Sequence, residues 1–167
     1  YYSNMFFEGI ISNPMVGTLL SGIVNVIGVY IALKLINRQG RRTLLTWSIS
    51  GMIGSLILIT MVLCYPTLFP SILALLAMLG FVCFFEIGLG PVAFLIVAEM
   101  FDAKYVATAM SVAVQLNWFS NFLVGLTFPY QSQLLGSCAF VPNILLLAAT
   151  NAYVLTCLPE TAGRTVE

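Results

Sequence analysis

The sequence is organised around residues 84–94, which read FFEIGLGPVAF within a long apolar run. A single carboxylate, Glu86, precedes Pro91 by five residues, and Gly88 and Gly90 lie between them. Proline has no amide hydrogen and its ring presses on the carbonyl of Ile87, four residues earlier. The stretch therefore predicts a bend or break in a long helix, with Gly88, Gly90 and Pro91 as the hinge.

Glu86 has two interpretations. An ionisable group inside a membrane is costly unless it faces the protein interior or a water-filled cavity, and it usually marks a functional site. Broken helices beside intramembrane polar groups also form the binding sites of many transporters. The alternative is a structural kink that holds a protonated, hydrogen-bonded glutamate.

Composition sets the class of protein. The chain has 167 residues, of which 60% are apolar and 7% charged, whereas soluble domains have roughly 45–50% and about 25%. This balance predicts an all-α integral membrane protein. The net charge is zero, and no basic stripe suggests a nucleic-acid partner.

Metal, cofactor and catalytic chemistry are not indicated. The sequence has no histidine, and its four cysteines lie far apart without a C-x-x-C pair. No acid–base or nucleophile–base pair falls within one segment, so an enzyme is not expected. Cys64 and Cys138 could both lie near the outer face and pair, although buried free thiols are the preferred interpretation.

Hydropathy predicts five membrane-spanning helices, each near the length of about 20 residues that a bilayer requires. They cover residues 15–36, 43–64, 71–100, 105–128 and 135–158. Residues 1–7 resemble the aromatic end of an earlier helix. We therefore expect residues 1–167 to form one membrane domain of a longer protein whose beginning is missing.

Basic residues predict the orientation, because Lys and Arg concentrate on the cytoplasmic side of membrane helices. All six lie at the exit of the first, third or fifth predicted helix, which places them on one side: Lys34, Arg38, Arg41, Arg42, Lys104 and Arg164. The C-terminus is therefore expected to be cytoplasmic.

Small and polar residues form stripes on three helices. On the first, Gly17, Ser21, Asn25 and Gly28 recur at helical spacing, which suits either close packing or ligand binding. Gly51 and Ser55 on the second favour packing.

The fourth predicted helix carries the broadest polar face. It comprises Ser111, Gln115, Trp118, Asn121 and Gly125, with Asn117 at its edge. We expect this face to line the bundle interior rather than to meet lipid. Its amides and indole suit an uncharged, hydroxyl-rich solute better than an inorganic ion.

Four motifs in this order resemble the sugar porter family of the major facilitator superfamily, and specifically the C-terminal half of a facilitative hexose transporter. They are RQGRR at 38–42, the 84–94 stretch followed by AEMF at 98–101, NWFSNF at 117–122, and PETAGRT at 159–165. The resemblance implies that the five helices are helices eight to twelve of twelve, and that residues 1–7 end helix seven.

The resemblance implies two six-helix halves that rock around a central sugar. It assigns sugar contacts to Asn25, Phe85, Glu86, Asn117 and Trp118, and it places Phe94 where many members have a second tryptophan. It also implies a cytoplasmic charge network, for which the simpler explanation is a solvated rim of anchoring charges. The network residues are Arg41, Arg42, Glu99, Glu160 and Arg164.

The sequence departs from the family pattern near the hinge. Leu89 and Ala93 stand where the family usually has prolines, so Pro91 is alone there, and Phe94 lacks an indole donor. Lys104 stands near the position of a common family arginine and offers a point charge without the bidentate fork.

We therefore expect facilitated transport of a hexose, most simply glucose, across the plasma membrane by alternating access. The expected partners are the sugar, membrane lipid and the N-terminal half of the same transporter, and no cofactor is expected. Two alternatives stay open: a non-transporting sugar sensor on the same fold, and a proton-coupled sugar or polyol symporter that uses Glu86.

Overall fold

A computed structural model describes residues 14–36 and 38–158, and the described residues with regular structure are all helical. The helices are α1 (Pro14–Ile36), α2 (Arg41–Cys64), α3 (Ser71–Phe84), α4 (Gly90–Met100), α5 (Val106–Leu135) and α6 (Val141–Thr156). A π-helical turn, Phe85–Leu89, joins α3 to α4, and a 3-10 turn, Gly136–Cys138, follows α5.

Helix α2 is the centre of the packing. It contacts α3 and α6 along its length and also meets the π turn. One buried apolar cluster joins α2 to α4 and α6 through Leu44, Leu45, Ile49, Val92, Ile96 and Val154. A second cluster joins the other half of α2 to α3 through Leu56, Ile59 and Ala77. Between helices in a membrane, such clusters stabilise the bundle through van der Waals packing, because lipid tails are as apolar as these side chains.

Four helical stretches are long and apolar enough to cross a bilayer: Leu19–Ile36, Arg41–Cys64, Ile72–Met100 and Val106–Cys138. The third runs through α3, the π turn and α4 without interruption. Helix α6 has 16 residues, which is shorter than the roughly 20 that a perpendicular span requires.

The sequence predicted a bend or a break near Pro91, and the structure contradicts the break. The chain stays helical through the hinge, and Pro91 occupies the first turn of α4. Proline is tolerated there because an amide hydrogen at the start of a helical segment has no α-helical partner. The widened π turn, and not an unwound segment, separates the two parts of this helix.

Two other boundaries differ from the predicted ones. Helix α5 continues past Phe128 through Pro129 to Leu135, and α6 begins at Val141 rather than at 135. Gly136 has a φ of 52°, a left-handed conformation that glycine adopts without steric cost. The chain therefore turns at Gly136, and the turn delays the start of α6.

Candidate functional site

The site is built on the π turn that carries Glu86. Within it the Gly90 amide donates to the Phe85 carbonyl, a bond that spans five residues. The hydroxyl of Ser48, from α2, bridges the turn. It donates to the Phe84 carbonyl at 2.6 Å and accepts from the Leu89 amide at 3.1 Å. A side chain from another helix thus supplies partners for two backbone groups at the point where the helix widens.

This bridge requires a close approach of α2 to the π turn. Ser48 is fully buried and Gly88 is buried against it. A Cβ atom at Gly88 would lie 2.4 Å from the Ser48 Cβ and 2.9 Å from the Leu44 carbonyl oxygen. Only glycine fits at this contact, because the Leu44 obstruction belongs to the backbone.

Glu86 projects from the π turn toward α1. The Asn25 amide nitrogen donates to Glu86 Oε1 at 2.8 Å, so α1 and the π turn share a polar contact. Gly28 lies one helical turn along α1, and a Cβ there would stand 2.8 Å from the Glu86 Cβ. The absence of a side chain at Gly28 lets Asn25 reach the carboxylate.

Two aromatic residues lie near this contact along the chain. Phe85 precedes Glu86 and is partly exposed, whereas Phe94 on α4 is half-buried. The Phe85 ring approaches Gly90, where a Cβ atom would lie 3.4 Å from it. The turn therefore carries one carboxylate and one partly exposed aromatic ring at adjacent positions.

Helix α5 carries the polar face that the sequence predicted to line the bundle interior. None of its residues is buried among the described helices, so the lining of the interior stays a prediction. Asn117, Trp118 and Asn121 are exposed, Trp118 by 63%. Asn121 donates to the Asn117 carbonyl of the same helix at 2.9 Å. The described helices contact α5 mainly from α4 and the 3-10 turn, so they leave this face uncovered.

Asn121 also borders a cavity of about 450 Å³ between α2, α3, α5 and α6. Its lining is mostly apolar, including Met52, Phe81 and Phe128, with Asn143 as a second amide. Asn25 and Glu86 are not among its lining residues. A pocket with so few polar groups does not match a hydroxyl-rich solute, and it lies apart from the Asn25–Glu86 contact.

A charged contact lies at the basic end of the bundle. Arg41 binds Glu99 through two nitrogens, at 2.9 and 3.2 Å from the same carboxylate oxygen, and donates to the Ile36 carbonyl at 2.8 Å. Arg42 donates to the Leu155 carbonyl at the end of α6. These bonds tie α2 to α1, α4 and α6. Glu160 and Arg164 of the expected network lie outside the described residues.

Ser48 is not among the predicted site residues, although the sequence carries a signal for it. Ser48, Gly51 and Ser55 fall at helical spacing, so Ser48 extends by one turn the stripe already recognised on the second helix. Packing on this stripe is close: a Cβ at Gly51 would overlap the Phe84 ring, and buried Ser55 lies 3.3 Å from the Cβ position of Gly80. The π turn itself has no comparable signal.

The family model described as "Sugar (and other) transporter" matches residues 1–167, the whole chain. This chain belongs to the sugar transporter family. It is 41% identical over 170 residues to facilitated glucose transporter member 1 of solute carrier family 2 from Gallus gallus. It is 38% identical to member 4 from Homo sapiens. Each alignment covers 100% of this chain but 35% and 33% of the relative, so the chain spans about a third of their length.

Solved structures share the fold. A double-tryptophan mutant of XylE superimposes with a TM-score of 0.89, at 24% identity, over 99% of this chain and 36% of that one. A D-xylose–proton symporter gives a TM-score of 0.86, at 24% identity, over 99% of this chain and 40% of that one. The chain therefore shares the all-α fold of these structures, and its family is one of transporters rather than of enzymes.

Proposed function

We propose that this chain is the sugar-binding C-terminal half of a facilitative hexose transporter, with glucose as its principal substrate. Membership of the sugar transporter family supports the class of substrate. The similarity to proteins named facilitated glucose transporters supports the choice of glucose and of transport without coupling.

The observation that carries the proposal is the hydrogen bond between Asn25 and Glu86. It uses one amide hydrogen and one carboxylate oxygen, so the second carboxylate oxygen, the second amide hydrogen and the amide carbonyl can still bind a ligand. Together they offer a donor and acceptors a few ångströms apart. Sugar hydroxyls, which both donate and accept, match such a set.

The remaining site residues complete the sugar site in this proposal. Asn117 adds hydrogen bonds from α5, while Phe85, Phe94 and Trp118 stack on the apolar face of the ring. Because Asn117 and Trp118 are exposed, they are accessible to a sugar that lies between this half and the N-terminal half. Gly88, Gly90 and Pro91 let the hinge adjust as the two halves rock.

The Arg41–Glu99 pair supports a cytoplasmic gate at the basic end of the bundle. Its partners lie on α2 and α4, and both side chains are about four-fifths buried. A network with Arg42, Glu160 and Arg164 on the cytoplasmic side would favour the outward-facing state. The same orientation puts the C-terminus in the cytoplasm of a plasma-membrane protein.

Uptake of labelled glucose and fructose tests the proposal. The full-length protein would be expressed in cells that lack their own hexose transporters, and surface protein quantified. We expect saturable glucose uptake, with the KM raised several-fold by Asn25→Ala or Glu86→Gln. Asn151→Ala is the matched control because it removes an amide hydrogen bond to Ser50, at 3.2 Å, away from the site. No uptake of either sugar by surface protein contradicts the proposal and favours a sensor.

Proton coupling is the rival mechanism, because Glu86 is a carboxylate within a membrane-spanning stretch. A coupled transporter accumulates sugar against its gradient and loses that ability when a protonophore is added. We expect uptake to follow the sugar gradient alone and to be unchanged by the protonophore. Accumulation that the protonophore abolishes, and that Glu86→Gln also abolishes, would assign the symporter mechanism instead.

A further inference from the structure

Two cysteines from distant parts of the sequence meet at one end of the bundle. Cys64 is the last residue of α2, and Cys138 is the last residue of the 3-10 turn before α6. Their sulfur atoms lie 4.0 Å apart although 74 positions separate them in sequence. Both thiols are exposed, which contradicts the expectation that they would be buried, so a soluble oxidant or reductant can reach them.

Packing beside the two thiols holds them together. Ala139, next to Cys138, is buried, and Phe140 packs against the apolar cluster formed by Leu56, Ile59 and Ala77. The Phe140 ring also meets Phe128 at a centroid distance of 5.4 Å. The turn is therefore anchored to α2 independently of its cysteine. A disulfide has an S–S length of about 2.05 Å, so bond formation requires the two sulfur atoms, now 4.0 Å apart, to approach each other by about 2 Å.

The two ends of α2 differ in their chemical environment. Helix α2 begins at Arg41, in the charged contact with Glu99, and ends at Cys64. In the orientation of the proposed function, on which this step rests, the basic end is cytoplasmic and the cysteine pair faces outside. Disulfides form and persist in extracellular surroundings and are rare in the reducing cytosol.

We propose that Cys64 and Cys138 form a disulfide that fastens the outer end of α2 to the turn preceding α6. A thiolate of one cysteine attacks the S–S bond of a small-molecule or oxidoreductase disulfide and forms a mixed disulfide, releasing one thiol. The second cysteine displaces the other thiol. The two protein thiols lose two electrons and two protons, and the oxidant becomes two thiols.

The bond closes a loop that contains α3, the π turn, α4 and α5. A cross-link over 74 positions removes many conformations from the unfolded chain and so favours the folded one. It also keeps α2 and α6 together at their outer ends while the inner ends are held through Arg42. The pair is thus an oxidation site that makes this half a more rigid body.

Peptide mapping of the full-length protein tests the disulfide. Intact cells are treated with an alkylating reagent, and the protein is purified and digested without reductant. We expect a cross-linked peptide containing residues 64 and 138, lost completely in Cys64→Ser. Cys157→Ser is the matched control, because Cys157 is exposed at the opposite end of α6 and its replacement leaves the cross-link intact. Reduction should lower the apparent melting temperature of the wild type and leave that of Cys64→Ser unchanged.

Reductants and oxidants applied to cells also test on which side of the membrane the disulfide lies. A membrane-impermeant phosphine reductant applied to intact cells should cleave the bond; cleavage only after permeabilisation would contradict an outer-face site. Free thiols in surface protein, still unlinked after treatment with glutathione disulfide, would overturn the proposal. Glucose uptake measured on the same cells separates the two proposals. Normal uptake with free thiols contradicts the disulfide alone, and a cross-linked protein without uptake contradicts the transport function alone.

Discussion

The π turn and α5 both carry polar residues on apolar helices, but only those of the π turn have hydrogen-bond partners in other described helices. At the π turn, Glu86 and the backbone groups around it bind Asn25 and Ser48 from two other helices. On α5, by contrast, the described residues offer Asn117 and Trp118 no hydrogen-bond partner in another helix. Polar residues in a membrane helix therefore have one of two roles. They bond to other helices of the same bundle, or they remain accessible to a ligand or to another part of the protein.

Burial separates these roles, because Ser48 is fully buried and Trp118 is 63% exposed. Replacing Ser48 therefore changes the packing among the described helices. Replacing Trp118 leaves that packing intact and changes only the surface that α5 presents. The following predictions test this contrast from the largest expected change in stability to the smallest. Stability is measured throughout as the apparent melting temperature of the full-length protein in detergent.

Gly88→Ala should have the largest effect. The added methyl group would meet the Ser48 Cβ at 2.4 Å and the Leu44 carbonyl at 2.9 Å, and overpacking of this kind costs about 1–3 kcal/mol or more. We expect a lower melting temperature and less protein at the cell surface. Gly54→Ala on α2 is the control, because no atom lies within 4 Å of its Cβ position. Equal stability of the two variants would contradict the close contact.

Ser48→Ala should have the next largest effect. It removes the partner of the buried Phe84 carbonyl and Leu89 amide, at a cost of about 1–3 kcal/mol. Because the hydroxyl holds the turn that carries Glu86, we also expect a higher KM for glucose. Ser48→Thr keeps the hydroxyl, so its KM should be close to that of the wild type. Its stability should remain lower, because the extra methyl group has no room at this fully buried position. An unchanged KM in Ser48→Ala would limit Ser48 to a structural role.

Arg41→Lys should lower stability by about 1 kcal/mol or less. Lysine cannot reproduce the two nitrogens directed at Glu99 together with the bond to the Ile36 carbonyl. Partial exposure to solvent keeps the electrostatic contribution small. If the pair is also a gate, the rate of sugar exchange will change more than the melting temperature does. Arg38→Lys, at an exposed position outside the described ion pair, is the control.

Asn117→Ala should leave stability within about 0.5 kcal/mol of the wild type, as expected for an exposed position. It should nevertheless weaken glucose uptake several-fold, because the proposed function assigns Asn117 a sugar hydroxyl. Ser120→Ala, an exposed neighbour outside the proposed site, is the control and should change neither quantity. A large loss of stability in Asn117→Ala would show that α5 is packed in the full-length protein and would remove the contrast with the π turn.

The sequence determined the class of protein and its helical character, because both depend on local properties. A 60% apolar and 7% charged composition requires a membrane, and each apolar run is long enough to form its own hydrogen-bonded helix. The motifs at 38–42, 84–94 and 117–122 also identified the family that the comparison confirms. The family resemblance also assigns Asn25 and Glu86 to one site, and these two side chains share a hydrogen bond of 2.8 Å.

Tertiary structure alone decided how those helices are completed. No local pattern indicates that a π turn precedes Pro91. The turn depends on the Ser48 hydroxyl, which binds the Phe84 carbonyl 36 positions later, and on glycine at position 88. The meeting of Cys64 with Cys138 and the exposure of α5 likewise depend on which helices are neighbours. Contacts between residues far apart in sequence settle these features, and helical periodicity describes only the face of a single helix.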